Sequence, residues 1–283
     1  MAEEIERRYN EKQIREQTYK NNKSTLVKLR AFKPKVFYYE ITSSFFSTFS
    51  SYLIRKHKNS QNTVWSAIKD LKTYLALATK SGIVFDLEYL NFPTGKTSNR
   101  ITYLEDDELK RLYLLYKEES LNGIEQKCLR AFLFQTFTSL RISDVFRANW
   151  SWVNNTNDLH FIPYKNERFR TYITVPLSKI ALELIESKRG AMFDLPAEQT
   201  INEKLKLIAL HCNIYKTLTT HVGRHTFGTL FYRHTKDLIT LSKIMGHAKI
   251  QQTMVYAHIN DQDKRDGVNK YETAFLDNVD KPI

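Results

Sequence analysis

The 283-residue chain is poor in cysteine: Cys128 and Cys212 stand far apart without any ligand spacing, so neither a disulfide framework nor a cysteine zinc site is expected. No run approaches the roughly 18 apolar residues of a membrane span. The opening MAEEIERRYNEK is charged where a signal peptide would be apolar, which reads as a soluble, cytoplasmic chain with no membrane partner. Internal repeats, low-complexity tracts, a glycine-rich phosphate loop and metal-ligand clusters are all missing, so no cofactor or metal is expected. Negative charge is in the minority too, with 31 Asp and Glu against 43 Lys and Arg, a formal charge of +12. Such a balance suits a polyanionic partner, although solubility alone could use it. Its distribution is more telling. Residues 1–100 hold 18 Lys and Arg against 9 Asp and Glu, which points to the N-terminal third as the part that meets a polyanion.

The length allows two domains, each with its own core. Residues 1–24 are dense in charge with little apolar periodicity and read as a solvated helix or partly ordered arm. From 25 to 92 apolar residues recur at helical spacing, as Phe45, Phe46, Phe49, Tyr52 and Leu53, then Trp65, Ile68, Leu71, Leu75 and Ala78. That pattern predicts a small helical bundle. The aperiodic, polar 93–100, with Pro93 and Gly95, reads as a linker. A second domain over 101–265 then opens on YLEDDELKRL, whose carboxylates favour a helix start. Within it EQKCLRAFLFQTFTSL predicts a buried helix, and LHFIPYKNERFRTYITVPL predicts two strands around a turn at Asn166 to Phe169. Residues 266–283 form a tail. The fold class is mainly α with a small β-sheet.

Five features carry chemistry: Arg141 in FTSLRISDVF, Lys165 in IPYKNERFR, His221 and Arg224 in HVGRHTFGTL, His247 after Gly246, and Tyr256 in MVYAH. In this order and spacing the sequence resembles the tyrosine recombinase (phage integrase) family, in which an Arg box, a hairpin Lys, an H-x-x-R box, a His or Trp, and a Tyr follow one another. The resemblance covers the second domain and, more loosely, the helices before it, which look like a SAM-like core-binding domain. It implies a two-domain clamp on double-stranded DNA, monomeric without DNA and tetrameric on synapsed sites, with DNA-bending accessory proteins among the expected partners. The implied setting is the nucleoid of a bacterium, and the implied work that of a mobile-element integrase. Residue by residue, Arg141 and Arg224 fall on the two catalytic arginines and Asp144 on the acidic residue that buttresses the first. Lys165 falls on the hairpin lysine, His221 on the H-x-x-R histidine, His247 on the next position, and Tyr256, nine residues later, on the nucleophile. Two positions depart from the pattern: Ser139 where Gly is common, and Gly228 where Ala is common after HTF.

The chemistry asks for these residue types. Attack on a phosphodiester adds charge around a phosphorus whose oxygens are already anionic, and an Arg fork can grip two of those oxygens without deprotonating. A free phenol has a pKa near about 10, so Tyr256 must lose its proton as it attacks. His221 is the candidate base, His247 a phosphate ligand, and Lys165 the candidate acid for the departing 5′ oxygen. A 3′-phosphotyrosyl link would keep the energy of the broken bond for a second strand to use.

Bland readings exist for each. Lone arginines after buried helices are mostly surface or capping groups, hairpin lysines are mostly solvated, and Lys165 has rivals in Arg168 and Arg170. Asp144 could cap the helix after Arg141. His225 starts no second H-x-x-R box, because Gly228 stands where the Arg would be, and reads as structural. Tyr256 could be one more core aromatic in a helix. Two rival functions share the motifs: a type IB topoisomerase-like DNA-relaxing enzyme, and a non-catalytic DNA-binding protein on the same fold.

Overall fold

In a computed structural model of the chain, residues 1–94, 101–257 and 261–279 are described, apart from the side chains of 168, 169, 261–263, 266, 274 and 277–279. The chain divides into two compact units, Met1–Asn99 and Arg100–Ile283. Of the expected linker, residues 93 and 94 have no regular structure and 95–100 lie outside the described residues.

The first unit is built from α1 (Ala2–Asn10), α2 (Glu16–Phe32), α3 (Ser43–His57) and α4 (Gln61–Lys80). Thr42 and Ser60 cap α3 and α4 by accepting from the backbone of Phe45 and Thr63, as N-cap hydroxyls do. Phe46, Phe49 and Leu53 of α3 meet Val64, Ala67, Ile68, Leu71 and Leu75 of α4 in one apolar cluster. These are the i, i+3, i+4, i+7 positions of two amphipathic helices. The charged stretch 1–24 holds more structure than its composition suggests. Ile5 is buried, the Tyr9 and Tyr19 rings stack at 4.2 Å, and Asn22 on α2 hydrogen-bonds the Tyr74 hydroxyl of α4. A few well-placed groups dock these helices even though charge dominates the composition.

The second unit contains α5 (Asp106–Glu118), α6 (Gly123–Thr138), α7 (Ile142–Val145), β1 (Asp158–Phe161), β2 (Ile173–Pro176), α8 (Lys179–Glu183), α9 (Glu198–His211), α10 (Thr220–Thr235), α11 (Leu238–Ile244) and α12 (Asp261–Val279). α5 opens on a capping box between Glu105 and Glu108, with Asp106 and Asp107 in the first turn opposing the helix dipole. α6 is apolar on nearly every side and runs through the core, where Cys128, Leu129, Phe132, Leu133 and Phe134 are sealed from solvent. α5, α9 and α10 pack around it. β1 and β2 pair antiparallel with Leu159 opposite Val175 and Phe161 opposite Ile173. Between them Tyr164–Phe169 forms a 3₁₀ turn at the expected place. α12 runs unbroken through the expected boundary at 265 and 266, and Val268, Tyr271 and Phe275 on it are exposed. Among the described residues no helix is long and apolar enough to cross a membrane.

Candidate active site

α6 ends because Ser139 adopts the left-handed conformation (φ +60°), and the chain turns back so that Arg141 becomes the N-cap residue of α7. The usual glycine at this position is explained by that backbone: a side chain in the left-handed region is disfavoured, and glycine escapes the penalty. The Ser139 hydroxyl is buried and finds no hydrogen-bond partner among the described residues. Asp144, almost fully buried on α7, does not cap that helix. Its Oδ1 accepts from the Tyr164 backbone N–H at 2.7 Å, tying the arginine box to the hairpin turn one residue before Lys165. Burial pushes the Asp144 carboxyl up, while the Tyr164 N–H and the Arg141 charge pull it down.

Arg224 leaves the second turn of α10 with its guanidinium buried. Nη1 donates to the Ser139 carbonyl, and Nη2 donates to the Met245 carbonyl (2.8 Å) and to His247 Nε2 (3.0 Å). Two backbone carbonyls therefore orient the fork without neutralising it. Burial, with Arg141 second, pushes the guanidinium down from its ordinary range. An arginine starts so high that it remains a cation at neutral pH.

His247 follows Gly246, which sits at φ +60° where a Cβ would come within 3.0 Å of Ile173 on β2. A glycine is needed there twice over, for its backbone and for the close approach of α11 to the hairpin. Because Arg224 can only donate, His247 Nε2 accepts, and Nδ1 carries the proton that it donates to Thr253 Oγ1 at 2.8 Å. Burial, followed by the charges of Arg224, Arg141 and Lys165, holds this imidazole down at about 4. Asn166 of the hairpin turn lines one cleft with Gly246 and His247, so the turn faces the same site. Among the rivals of Lys165, Arg170 is exposed at the turn's far end and the side chain of Arg168 lies outside the described residues.

Tyr256 sits in a 3₁₀ turn, Met254–Tyr256, and not in an α-helix. Its ring packs with Tyr232, Leu241 and Met245. Burial raises the phenol, with Arg224 and then Arg141 opposing the rise. The hydroxyl lies 3.0 Å from His225 Nδ1. His221, the expected base, is exposed in the first turn of α10, with its ring 6.4 Å from that of His225. The difference is one helical turn, because the 3₁₀ turn of Tyr256 lies against the middle of α10. Three supporting groups escaped the sequence reading. His225 was visible only as the residue after the box, Thr253 carried no signal, and Gly228 showed only as a departure from Ala. Among the described residues no group of three or more His, Cys, Asp or Glu stands close enough to hold a metal ion.

The arrangement is thus two arginines whose charges reach one buried phenol, a neutral histidine bound to the second of them, and a lysine whose charge reaches that histidine, and cations of this kind are what a phosphodiester in transfer requires. The model of the phage integrase family matches residues 102–263, which include every one of these groups. The chain belongs to the phage integrase family. The phage integrase SAM-like domain matches residues 1–92, so the helical first unit belongs to the same architecture. The integrase of Haemophilus phage HP1 is 32% identical over 123 residues, 42% of this chain and 36% of that protein. The integrase of Escherichia phage P2 is 32% identical over 114 residues, 40% of this chain and 32% of that protein. The chain thus spans about a third of the length of the phage integrases it matches. A tyrosine recombinase XerD from Oceanobacillus iheyensis is 24% identical over 244 residues, 78% of this chain and 79% of that one. In fold the chain is similar to the Tn1549 transposon integrase (TM-score 0.75, 15% identity, 96% of this chain and 98% of that one). It is also similar to the XerH site-specific recombinase (TM-score 0.72, 14% identity, 90% and 80%).

Proposed function

We propose that this phage integrase family member is a site-specific DNA recombinase that cleaves and rejoins strands through a 3′-phosphotyrosyl intermediate at Tyr256. The observation that carries the reading is the Arg224 fork. It is buried and oriented by two carbonyls, it shares His247, and its charge together with that of Arg141 acts on the Tyr256 phenol.

In the proposed reaction Arg141 and Arg224 hold the non-bridging oxygens of the scissile phosphate as charge builds on them. The Tyr256 oxygen forms a bond to phosphorus and its proton passes to His221 or solvent. The bond to the 5′ oxygen breaks, and Lys165 supplies the proton that this oxygen takes up. A 5′ hydroxyl from another strand then attacks the phosphotyrosyl bond, the phenol leaves with a returned proton, and the backbone is resealed. The phosphate ester count is unchanged throughout, so no energy source is needed. His247, neutral and accepting from Arg224, fixes the fork; once DNA displaces that contact it meets the phosphate only with a proton on Nε2, gained by protonation or by exchange of tautomer.

The same reading extends to assembly. A lambda integrase tetramer bound to a Holliday junction shares this fold at a TM-score of 0.69. We infer a tetramer on two synapsed double-stranded sites, with DNA-bending accessory proteins as further partners and the bacterial nucleoid as the place of work. The exposed Tyr271 and Phe275 of α12 suit docking on a neighbouring protomer. Phosphate contacts would dominate affinity, which would fall steeply with salt.

The test is incubation with suicide substrates carrying candidate sites, followed by denaturing gels for the wild type and Tyr256→Phe. A DNA-linked band that vanishes with the phenylalanine supports covalent catalysis. Relaxation of supercoiled DNA of any sequence, with no site preference, would instead favour a topoisomerase.

A further inference from the structure

The β1–β2 hairpin has two faces of opposite character. Leu159, Phe161 and Val175 are buried in the core, so alternation along the strands turns His160 and Thr174 outward. His160 stands opposite Thr174, and its Nδ1 is hydrogen-bonded to the Thr174 hydroxyl at 3.1 Å. Tyr172, the diagonal neighbour just before β2, lays its ring on the imidazole, with centroids 4.7 Å apart and planes 4° from parallel. This stack is not buried: His160 is exposed and Tyr172 is 56% exposed. Tyr172 and Thr174 also line the cleft that holds Gly246 and His247, and Ser242 and Lys243 of α11 are among its other walls.

We propose that Tyr172, backed by His160, is a stacking site for a nucleobase, the first base of the strand end that carries the 5′ hydroxyl. The inference rests on the reading of Tyr256 as nucleophile and Lys165 as acid. Lys165 lies in the turn of this same hairpin, so the nucleotide whose 5′ oxygen it protonates must lie against the hairpin. Cleavage frees that nucleotide from its covalent neighbour, and a base at a strand end has one face open to a new partner. His160 covers one face of the Tyr172 ring and is itself held by Thr174, so little side-chain freedom is left to lose when a base meets the ring. Every base has a π-face, so the stack is indifferent to which base arrives. The Thr174 hydroxyl and the Lys243 ammonium suit the sugar and phosphate that follow it along the cleft. Held there, the 5′ hydroxyl is kept close to the phosphotyrosyl bond that it must attack, which raises its effective concentration for joining.

The experiment has two readouts on the full chain. The first needs no catalysis: Tyr256→Phe protein is bound to a site-bearing duplex nicked at the scissile position, whose 5′-hydroxyl end begins with 5-iodouracil. Long-wave ultraviolet light couples this base to an aromatic side chain stacked on it, and peptide mapping by mass spectrometry should find the link at Tyr172. A link elsewhere, or none from bound DNA, would overturn the stack. The second readout starts from the covalent adduct isolated on the suicide substrate and follows joining to added oligonucleotides that carry a 5′ hydroxyl. Tyr172→Val keeps a strand-favouring residue without a ring, and should raise the half-saturating oligonucleotide concentration about ten-fold, within the range of one base–aromatic stack. Tyr172→Phe keeps the ring and should restore the wild-type value. An oligonucleotide whose first nucleotide is abasic should bind about ten-fold more weakly to the wild type, and no more weakly still to Tyr172→Val, because ring and base are then two halves of one contact. Independent, multiplying losses would overturn the proposal, and so would a loss confined to the maximal joining rate, which would make Tyr172 a strut of the hairpin. Failure of the wild type to form any adduct would withdraw Tyr256 as nucleophile, and the light-driven link would still decide the stack.

Discussion

Arg224 Nη2 and His247 Nε2 stand 3.0 Å apart, and the guanidinium, which can only donate, fixes which ring nitrogen of His247 carries the proton. Thr253, fully buried, completes the chain by accepting a hydrogen bond from Nδ1–H at 2.8 Å. The electrostatics around Arg224 thus pass through a threonine three residues before Tyr256, the proposed nucleophile. Thr253→Val keeps the shape and removes that acceptor, leaving a buried N–H without a partner. The expected loss is about 1 to 3 kcal/mol in urea unfolding, the cost of an unsatisfied buried donor. Adduct formation should slow about ten-fold as the ring loses its fixed tautomer.

Ser139 predicts a change in the opposite direction. It holds a left-handed backbone with a buried hydroxyl that has no partner among the described residues. Ser139→Gly relieves both, and a gain of about 1 kcal/mol is expected. A higher urea midpoint at unchanged m-value is the measurement, and an unchanged or lower midpoint would show that the hydroxyl has work the structure does not reveal.

Gly246→Ala should be costly twice, since φ +60° disfavours the side chain and Ile173 stands 3.0 Å from the new Cβ. Stability should drop by about 1 to 3 kcal/mol. His247, the next residue, should shift with the backbone, so adduct formation should fall by more than the unfolding data alone explain. Equal stability and activity in the variant would refute the close-packing account of this glycine.

Acid should weaken the fold through His225 and His247. Both are held at about 4 in the folded chain, against about 6.5 for an unfolded histidine. Between those values the unfolded chain binds protons that the folded chain refuses, so stability is fully present above about 6.5 and is lost as pH falls toward about 4. His247→Gln removes one of the two groups. Its unfolding free energy should depend less steeply on pH across that window than the wild type's, and parallel curves would contradict the buried neutral state.

Asp144→Asn separates two roles. An asparagine oxygen can still accept from the Tyr164 N–H, so the tie to the hairpin survives, but the charge facing Arg141 disappears. Stability should change by less than about 1 kcal/mol, because a carboxylate already disfavoured by burial is being replaced. A slower adduct with an unchanged midpoint would mark the charge as the part that serves Arg141.

The motif residues were legible because their chemistry is tied to residue type: no other side chain substitutes for an Arg fork, and the left-handed turn after α6 and the glycine before His247 leave traces in sequence. The helices of the first unit were legible from Phe46, Phe49 and Leu53 at helical spacing. What failed to show was anything decided by tertiary approach. The packing of α1 depends on Ile5 and on the stacking of Tyr9 with Tyr19, and neither rises above the surrounding charge. The exchange of His221 for His225 as the phenol's neighbour depends on where along α10 a three-residue turn comes to rest. The spacing between motifs does not record that.

The burial of Cys128 on α6 turns this thiol into a clock. Its proton is held to about 11 by burial, so only about one molecule in ten thousand is a thiolate at neutral pH even before access is considered. Cys212, also buried and raised, behaves alike. Any reaction with a thiol reagent therefore times the opening of the helices around it. Labelling of Cys128 would report the opening of the second unit's centre, and labelling of Cys212 that of the end of α9, without any added probe.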